Sequence, residues 1–341
     1  MGSWKSGAAM RWVRNAVVVI AAGLAGAAVH AQAPAIDAPG EVYRALEAGR
    51  YAEVEAYHAR LHRERTRKPD GEFLFEDLAF KVYWYSTHQP DDPAYWPKVD
   101  AATRAWVTHS PGSHLAAMTR AFALAYRGET VRARGGLWQE FQPLAGEARR
   151  LLEGSRKQGQ QDALWHAIGL RVAGLEDRPR ADILAWVEAG VAADPHPVRL
   201  YQEAAFALTP GSRSNVDDLR WLMQLAEQRT ASEPGSGIAA RVLAQTFWQF
   251  PEFMTRPFAG KGPRWDEVHR SFTDWARRPG AGYPVDLHAA LACAARDRDV
   301  ASRLMPRAGL AAGHADTWGR FGGPNLFARC KEWAVTASPT V

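Results

Sequence analysis

Residues 108–117 read THSPGSHLAA, and residues 231–240 read ASEPGSGIAA. The stretches lie 123 residues apart, and each sets Pro-Gly-Ser before a small apolar run. One reading is chemical, since His109 and His114 flank Ser113 and an imidazole can activate a hydroxyl. The other is punctuation. Pro111 and Pro234 cannot continue a preceding helix, Gly112 and Gly235 tolerate the turn, and Ser113 and Ser236 suit the N-cap of the next helix. Two observations decide for punctuation. Ser113 lacks the Gly-x-Ser-x-Gly elbow of the hydrolases, and no neighbouring carboxylate in the sequence orients either histidine. Both serines are therefore expected to begin the first helix of a unit.

The prolines carry the pattern further. Pro69, Pro111, Pro195, Pro234 and Pro279 are separated by 42, 84, 39 and 45 residues, and 84 is two steps of 42. Gly154-Ser155 stands near the missing step. Between these marks the apolar spacing is helical. Val42, Leu46, Val54, Tyr57 and Leu61 recur through 41–65, with Gly49 breaking the run. Ile183, Leu184, Val187 and Val191 line 181–194, and Leu219, Leu222, Met223, Leu225 and Ala226 line 217–228. Runs of alternating β-branched residues are absent beyond the N-terminal apolar stretch. The sequence predicts an all-α fold, a solenoid of helical hairpins with a unit of about 42 residues, because a lone hairpin cannot bury its apolar face and a stack can.

LEAGRYAEVEA (46–56) has the Gly-x-aromatic hairpin turn, with Gly49 and Tyr51, through which the chain resembles the tetratricopeptide-like superfamily. Three longer stretches resemble an uncharacterised bacterial domain-of-unknown-function family of exported helical proteins. They are AWVTHSPGSHLAAMTRAFALAYRGETVRARG (105–135), ADPHPVRLYQEAAFALTPGSRSNVDDLRWLMQLAE (193–227) and the run from HAALACAARDRDVASRLMPRAG through TWGRF to FARCKEWA (288–334). Gly211-Ser212-Arg213 departs from the Trp-Gly expected after Pro210. The resemblance implies a fold and brings no activity with it.

The first 33 residues read as a signal peptide. Lys5, Arg11 and Arg14 precede the uncharged stretch Ala16–Val29, and small residues then place cleavage after Ala31 or Ala33. The apolar core is shorter than the roughly 20 residues that span a bilayer, so a retained anchor is the lesser alternative. A periplasmic location follows, with a short linker over 34–39, one helical-repeat domain over 40–336 and a tail over 337–341. Removing three cations from 42 leaves 39 Lys and Arg against 37 acids, a net charge of +2. The one basic window, RLHRERTRK (60–68), is interrupted by Glu64, which disfavours nucleic acid.

The remaining chemistry is sparse. His58 and His62 have the H-x-x-x-H spacing that presents two imidazoles on one helix face, but Ala59 replaces the glutamate of the zinc peptidases. They read as surface histidines, and no metal or cofactor is expected. A glycosidase needs carboxylates in an aromatic cleft. Glu72, Glu76 and Asp77 lie beside Phe73, Phe75, Tyr83, Trp84 and Tyr85, and Asp91-Asp92 lie near Tyr95 and Trp96. Such residues at helical spacing read more simply as a solvated face over a core. Phosphate-cradling glycine loops are absent; Gly309, Gly313, Gly319, Gly322 and Gly323 mark a long connection before the last helix. Cys293 and Cys330 are even in number and predicted to be exported, which favours a disulfide over two buried thiols. The expected function is a non-enzymatic binding or scaffold module for a protein or peptide. The alternative is a periplasmic enzyme acting on cell-wall material or polysaccharide.

Overall fold

The computed structural model describes residues 39–69, 71–81, 94–209, 215–278, 283–309, 314–322 and 324–335. The predicted leader, Pro279, Tyr83–Tyr85, Asp91-Asp92, Ser212, Gly313, Gly323 and the C-terminal tail lie outside them. The fold is all-α: 75% of the described residues are helical and no strand occurs among them. One isolated bridge joins Arg67 to Phe73. No helix among the described residues is long and apolar enough to cross a membrane.

The helices are α1 (Pro39–Glu47), α2 (Tyr51–Glu64), α3 (Leu74–Lys81), α4 (Tyr95–His109), α5 (His114–Ala133) and α6 (Trp138–Gly154). The short α7 (Arg156–Gly159) leads to α8 (Ala163–Leu175), α9 (Arg180–Ala193), α10 (Val198–Leu208), α11 (Val216–Arg229) and α12 (Ile238–Thr246). A 3-10 turn and α13 (Pro251–Thr255) precede α14 (Trp265–Ala276), α15 (Val285–Ala294), α16 (Arg298–Leu304), α17 (His314–Gly322) and α18 (Pro324–Val335). Gly319 and Gly322 thus belong to a helix, a correction to the long connection read from the glycines. A single glycine costs a helix only about 1 kcal/mol, and burial of Trp318 at 1% exposure anchors this one.

Packing separates inner from outer helices. α5 packs on α8, α8 on α10 and α10 on α12, while α6 covers α5, α9 covers α8 and α11 covers α10 and α12. α8 shows why it is central: every residue from Ala163 to Leu175 is buried except Arg171. A helix apolar all round belongs inside a core. Arg171 is the exception because two carboxylates hold it. Its guanidinium reaches Glu129 of α5 at 2.5 Å and Glu203 of α10 at 2.6 Å, with the rings of Phe122 and Phe206 about its plane at 5.2 and 4.8 Å.

Arginine makes the same crossing elsewhere. Arg120 joins α5 to Glu147 of α6 and Asp100 of α4, Arg180 joins α9 to Asp218 of α11, and Arg220 joins α11 to Glu267 of α14. The arginine richness of the chain therefore serves helix–helix registration, where a planar fork suits carboxylates better than lysine does. Near the C-terminus Cys293 of α15 and Cys330 of α18 form a disulfide with 6.0 Å between Cα atoms. It fastens the last helix.

Candidate functional site

The two Pro-Gly-Ser turns end differently. Ser113 is the N-cap of α5 and its Oγ accepts the N–H of Ala116 at 3.2 Å. Ser236 is not a cap: Gly237 holds that position before α12, at φ +52°. The orphan N–H groups of this turn are met from another helix. Asp274 of α14 accepts from Gly235 at 2.8 Å and Gly237 at 3.0 Å, and Ser271 accepts from Ala240 at 2.8 Å. A Cβ on Gly237 would collide with Trp275, so the closeness of α14 demands glycine there. The serine's role passed to a tertiary partner.

The N-terminal ends of α5, α8, α10 and α12 meet the segment running from α2 into α3. Each end after the first carries an acid, favourable at the positive pole of a helix dipole. Asp162 caps α8 by accepting from Leu164 at 2.8 Å, Asp194 precedes α10, and Glu233 precedes α12. The basic window answers them in order. His58 and His62 neighbour Asp162, Arg65 pairs with Asp194, and Arg67 pairs with Glu233 at 2.6 Å. His196 lies between, with Nδ1 2.9 Å from Asp194 and Nε2 3.2 Å from Glu233. Burial opposes ionisation of these three carboxylates, yet bonds from His114 to Asp162, from Arg65 and His196 to Asp194, and from Arg278 to Glu233 hold all three below the usual range. Arg65, Arg67 and Lys68 of the RLHRERTRK stretch are thus engaged within the molecule.

Residues considered separately in the sequence meet here. His58, His62, Ser113, His114 and Asp162 line one open pocket of about 580 Å³. His58 corrects the surface reading of its pair: it is 4% exposed, against Phe75, and burial pushes its imidazole down to about 4 despite nearby Asp162. His109 lies apart, 5.1 Å from the Tyr51 ring. No three His, Cys, Asp or Glu side chains among the described residues are placed to hold a metal ion.

Of the carboxylates weighed for glycoside hydrolysis, Glu72, Glu76 and Asp77 are described, and each has a partner within the fold. Glu76 is 3% exposed and accepts the N–H groups of Phe73 and Arg199 at 3.1 and 2.9 Å. Burial, with Glu72 adding to it, pushes its carboxyl up to about 7. It faces an enclosed space of about 10 Å³, room for one water at most and none for a sugar. Glu72 bonds Lys68 at 2.7 Å, Asp77 lies 3.4 Å from the same ammonium, and Phe73 and Phe75 are core at 1% and 0% exposure.

A second open space lies elsewhere, a groove of about 730 Å³ between α6 and α9 with α8 as its floor. Each helix contributes one stripe. α6 offers Arg149, Leu152 and Glu153; α8 offers Trp165, Gly169, Val172 and Ala173; α9 offers Asp182, Ala185, Trp186, Ala189 and Ala192. Trp186 lies flat over Gly169 and stacks on Trp165 with centroids 5.1 Å apart. A Cβ at Gly169 would strike that ring, so the glycine lets the indole form the floor. Trp165 is fixed by donating to Ser155 Oγ at 3.1 Å. At one end Glu176 is held by Arg149 at 3.1 Å and Arg178 at 3.0 Å.

Sequence reasoning passed over this groove. Gly169 and Trp186 lie 17 residues apart in generic helical sequence, and only packing brings them together. Comparison of the chain with protein-family models, curated proteins and solved structures returns no match.

Proposed function

We propose that this chain is an exported, non-enzymatic binding module, a tetratricopeptide-like solenoid of helical hairpins over 40–336 that holds a protein or peptide partner. Residues 1–33 direct it to the periplasm and are removed. Support for the stacked-hairpin reading is the succession α5–α6, α8–α9 and α10–α11, in which each first helix packs on the next. The observation that carries the binding role is the groove over Trp165 and Trp186. It offers about 730 Å³ of open space, its floor and α9 wall are mostly apolar, and the carboxylate Glu176 at its rim is engaged by two arginines. Pockets with apolar walls and a few placed polar groups are binding sites by default. Helical-repeat proteins often bind along the face where successive helices begin. Here the chain's own α2–α3 segment packs along that face and leaves a pocket of about 580 Å³ beside Ser113 and Asp162, and the wider groove on the α6–α9 side is the one assigned to a partner.

The test is capture of the full chain, exported with its own leader and tagged at its C-terminus, after cross-linking in the periplasm. Recovery of one specific protein by the native chain, and its loss with Ala189→Trp, is the expected outcome. Equal recovery by both chains, or turnover of an envelope polymer with no partner recovered, would overturn the proposal.

A further inference from the structure

We infer that the occupant of the α6–α9 groove is an amphipathic α-helix of about three turns, carrying a basic residue at one end of its apolar stripe and an acidic residue at the other. This rests on the binding reading above and adds the class of partner.

The walls decide the secondary structure. All three sides are helices whose backbone groups bond within themselves, so no sheet edge is offered to an extended strand and recognition falls to side chains. The α9 stripe from Asp182 to Ala192 spans ten residues, about 15 Å at the α-helical rise. Along it Ala185, Ala189 and Ala192 are exposed, while Ala173 and the indole of Trp186, seated against Gly169, form the floor. Small side chains on two sides admit another helix at the close end of the usual 8–10 Å spacing.

The charges decide the ends. α6 and α8 run antiparallel, since Arg149 meets Glu176 at the end of α8 and Ser155 meets Trp165 at its start. Arg156 therefore marks one end of the groove, and Asp182 the other, beside the α8–α9 turn. Arg149 is shared by Glu176 and Glu153, and Arg178 pairs with Glu176, but neither Arg156 nor Asp182 has an ion pair among the described residues. A lone cation and a lone anion, separated by apolar surface, match a helix of opposite end charges. Such rim charges set orientation and choice of partner more than affinity.

The probes are three synthetic 16-residue helices with one leucine stripe, flanked by Lys and Glu at opposite ends, by Lys at both, or by Glu at both. Binding to the full-length mature chain is read by fluorescence anisotropy. The mixed-charge peptide should bind best, by about fivefold over either control. Ala189→Trp, which fills the groove, should weaken it at least tenfold. Arg156→Glu changes an exposed side chain, so it should keep the fold and shift preference to the Lys-flanked peptide. Absence of binding by all three peptides, or binding indifferent to both substitutions, would overturn the inference. If a periplasmic partner is lost with Ala189→Trp while no peptide binds, the groove stands as a binding surface and the helix is wrong.

Discussion

Two faces of this molecule are built from the same inner helices and have opposite fates. Where α8, α10 and α12 begin, acids at the positive helix poles pair with the basic end of α2, and these charges are engaged within the chain although pockets stay open beside them. Between α6 and α9 two outer helices stand apart over small residues, and the groove stays open. The difference is one of pairing. Asp194 and Glu233 find Arg65 and Arg67 within the chain, whereas Arg156 and Asp182 have no ion pair among the described residues. Charge and apolar surface that a fold leaves unsatisfied are what remain for recognition.

The largest effect should come from the foundation the faces share. Arg171→Met would leave nearly buried Glu129 without its guanidinium and Glu203, with no exposed side chain, with only Arg199 at 3.8 Å. Breaking a buried pair from one side costs about 3–5 kcal/mol, visible as a lower urea midpoint. A loss under about 1 kcal/mol would show the triad to be dispensable. Restoration in the Arg171→Met, Glu203→Met, Glu129→Gln triple variant would assign the loss to the stranded charges.

Both faces carry a histidine that burial holds below its ordinary range, His166 in the groove and His58 at the helix starts, and His58 supplies the test. Its folded pKa, about 4, lies below the ordinary 6.5, so the folded state resists protonation. Stability from this group is present above pH 6.5 and is lost as pH falls toward 4, by about 3 kcal/mol at 1.36 kcal/mol per unit. Glu76 and Glu129, pushed up to about 7, act oppositely: they favour the fold below pH 4.5 and lose that contribution as pH rises to 7. The measurement is therefore a difference. His58→Leu should flatten the acid limb of the stability profile relative to the native chain between pH 6.5 and 4. Identical acid limbs would place the imidazole in a solvated setting.

The smallest effect separates the two Pro-Gly-Ser turns. Ser113→Ala removes a local cap and should cost about 1 kcal/mol, whereas Ser236→Ala should cost only a few tenths because Asp274 and Ser271 do the capping there. Equal losses in thermal denaturation would mean that the second turn also relies on its serine.

Much of the fold was legible in the residues. Apolar spacing over 181–194 and 217–228 locates α9 and α11 to within a residue or two, since burial of one stripe is a property of the helix itself. Gly49 was readable as a break for a similar reason: at φ +69° it takes a conformation its neighbours would resist. The candidate groove was not legible. Its floor depends on Trp186 reaching across Gly169, and no local rule links those positions. The partners of Arg65 and Arg67 in the basic window were illegible for a related reason, because they lie 129 and 166 residues away.

By itself the sequence determined that helices form, where many stop, and that Ser113 caps, because these depend on neighbours a few residues apart. Only the tertiary structure decided which serine was spared its task, which arginines were consumed and which groove stayed open. Those outcomes depend on which helix ends arrive within hydrogen-bond reach of one another, and that distance is set by packing.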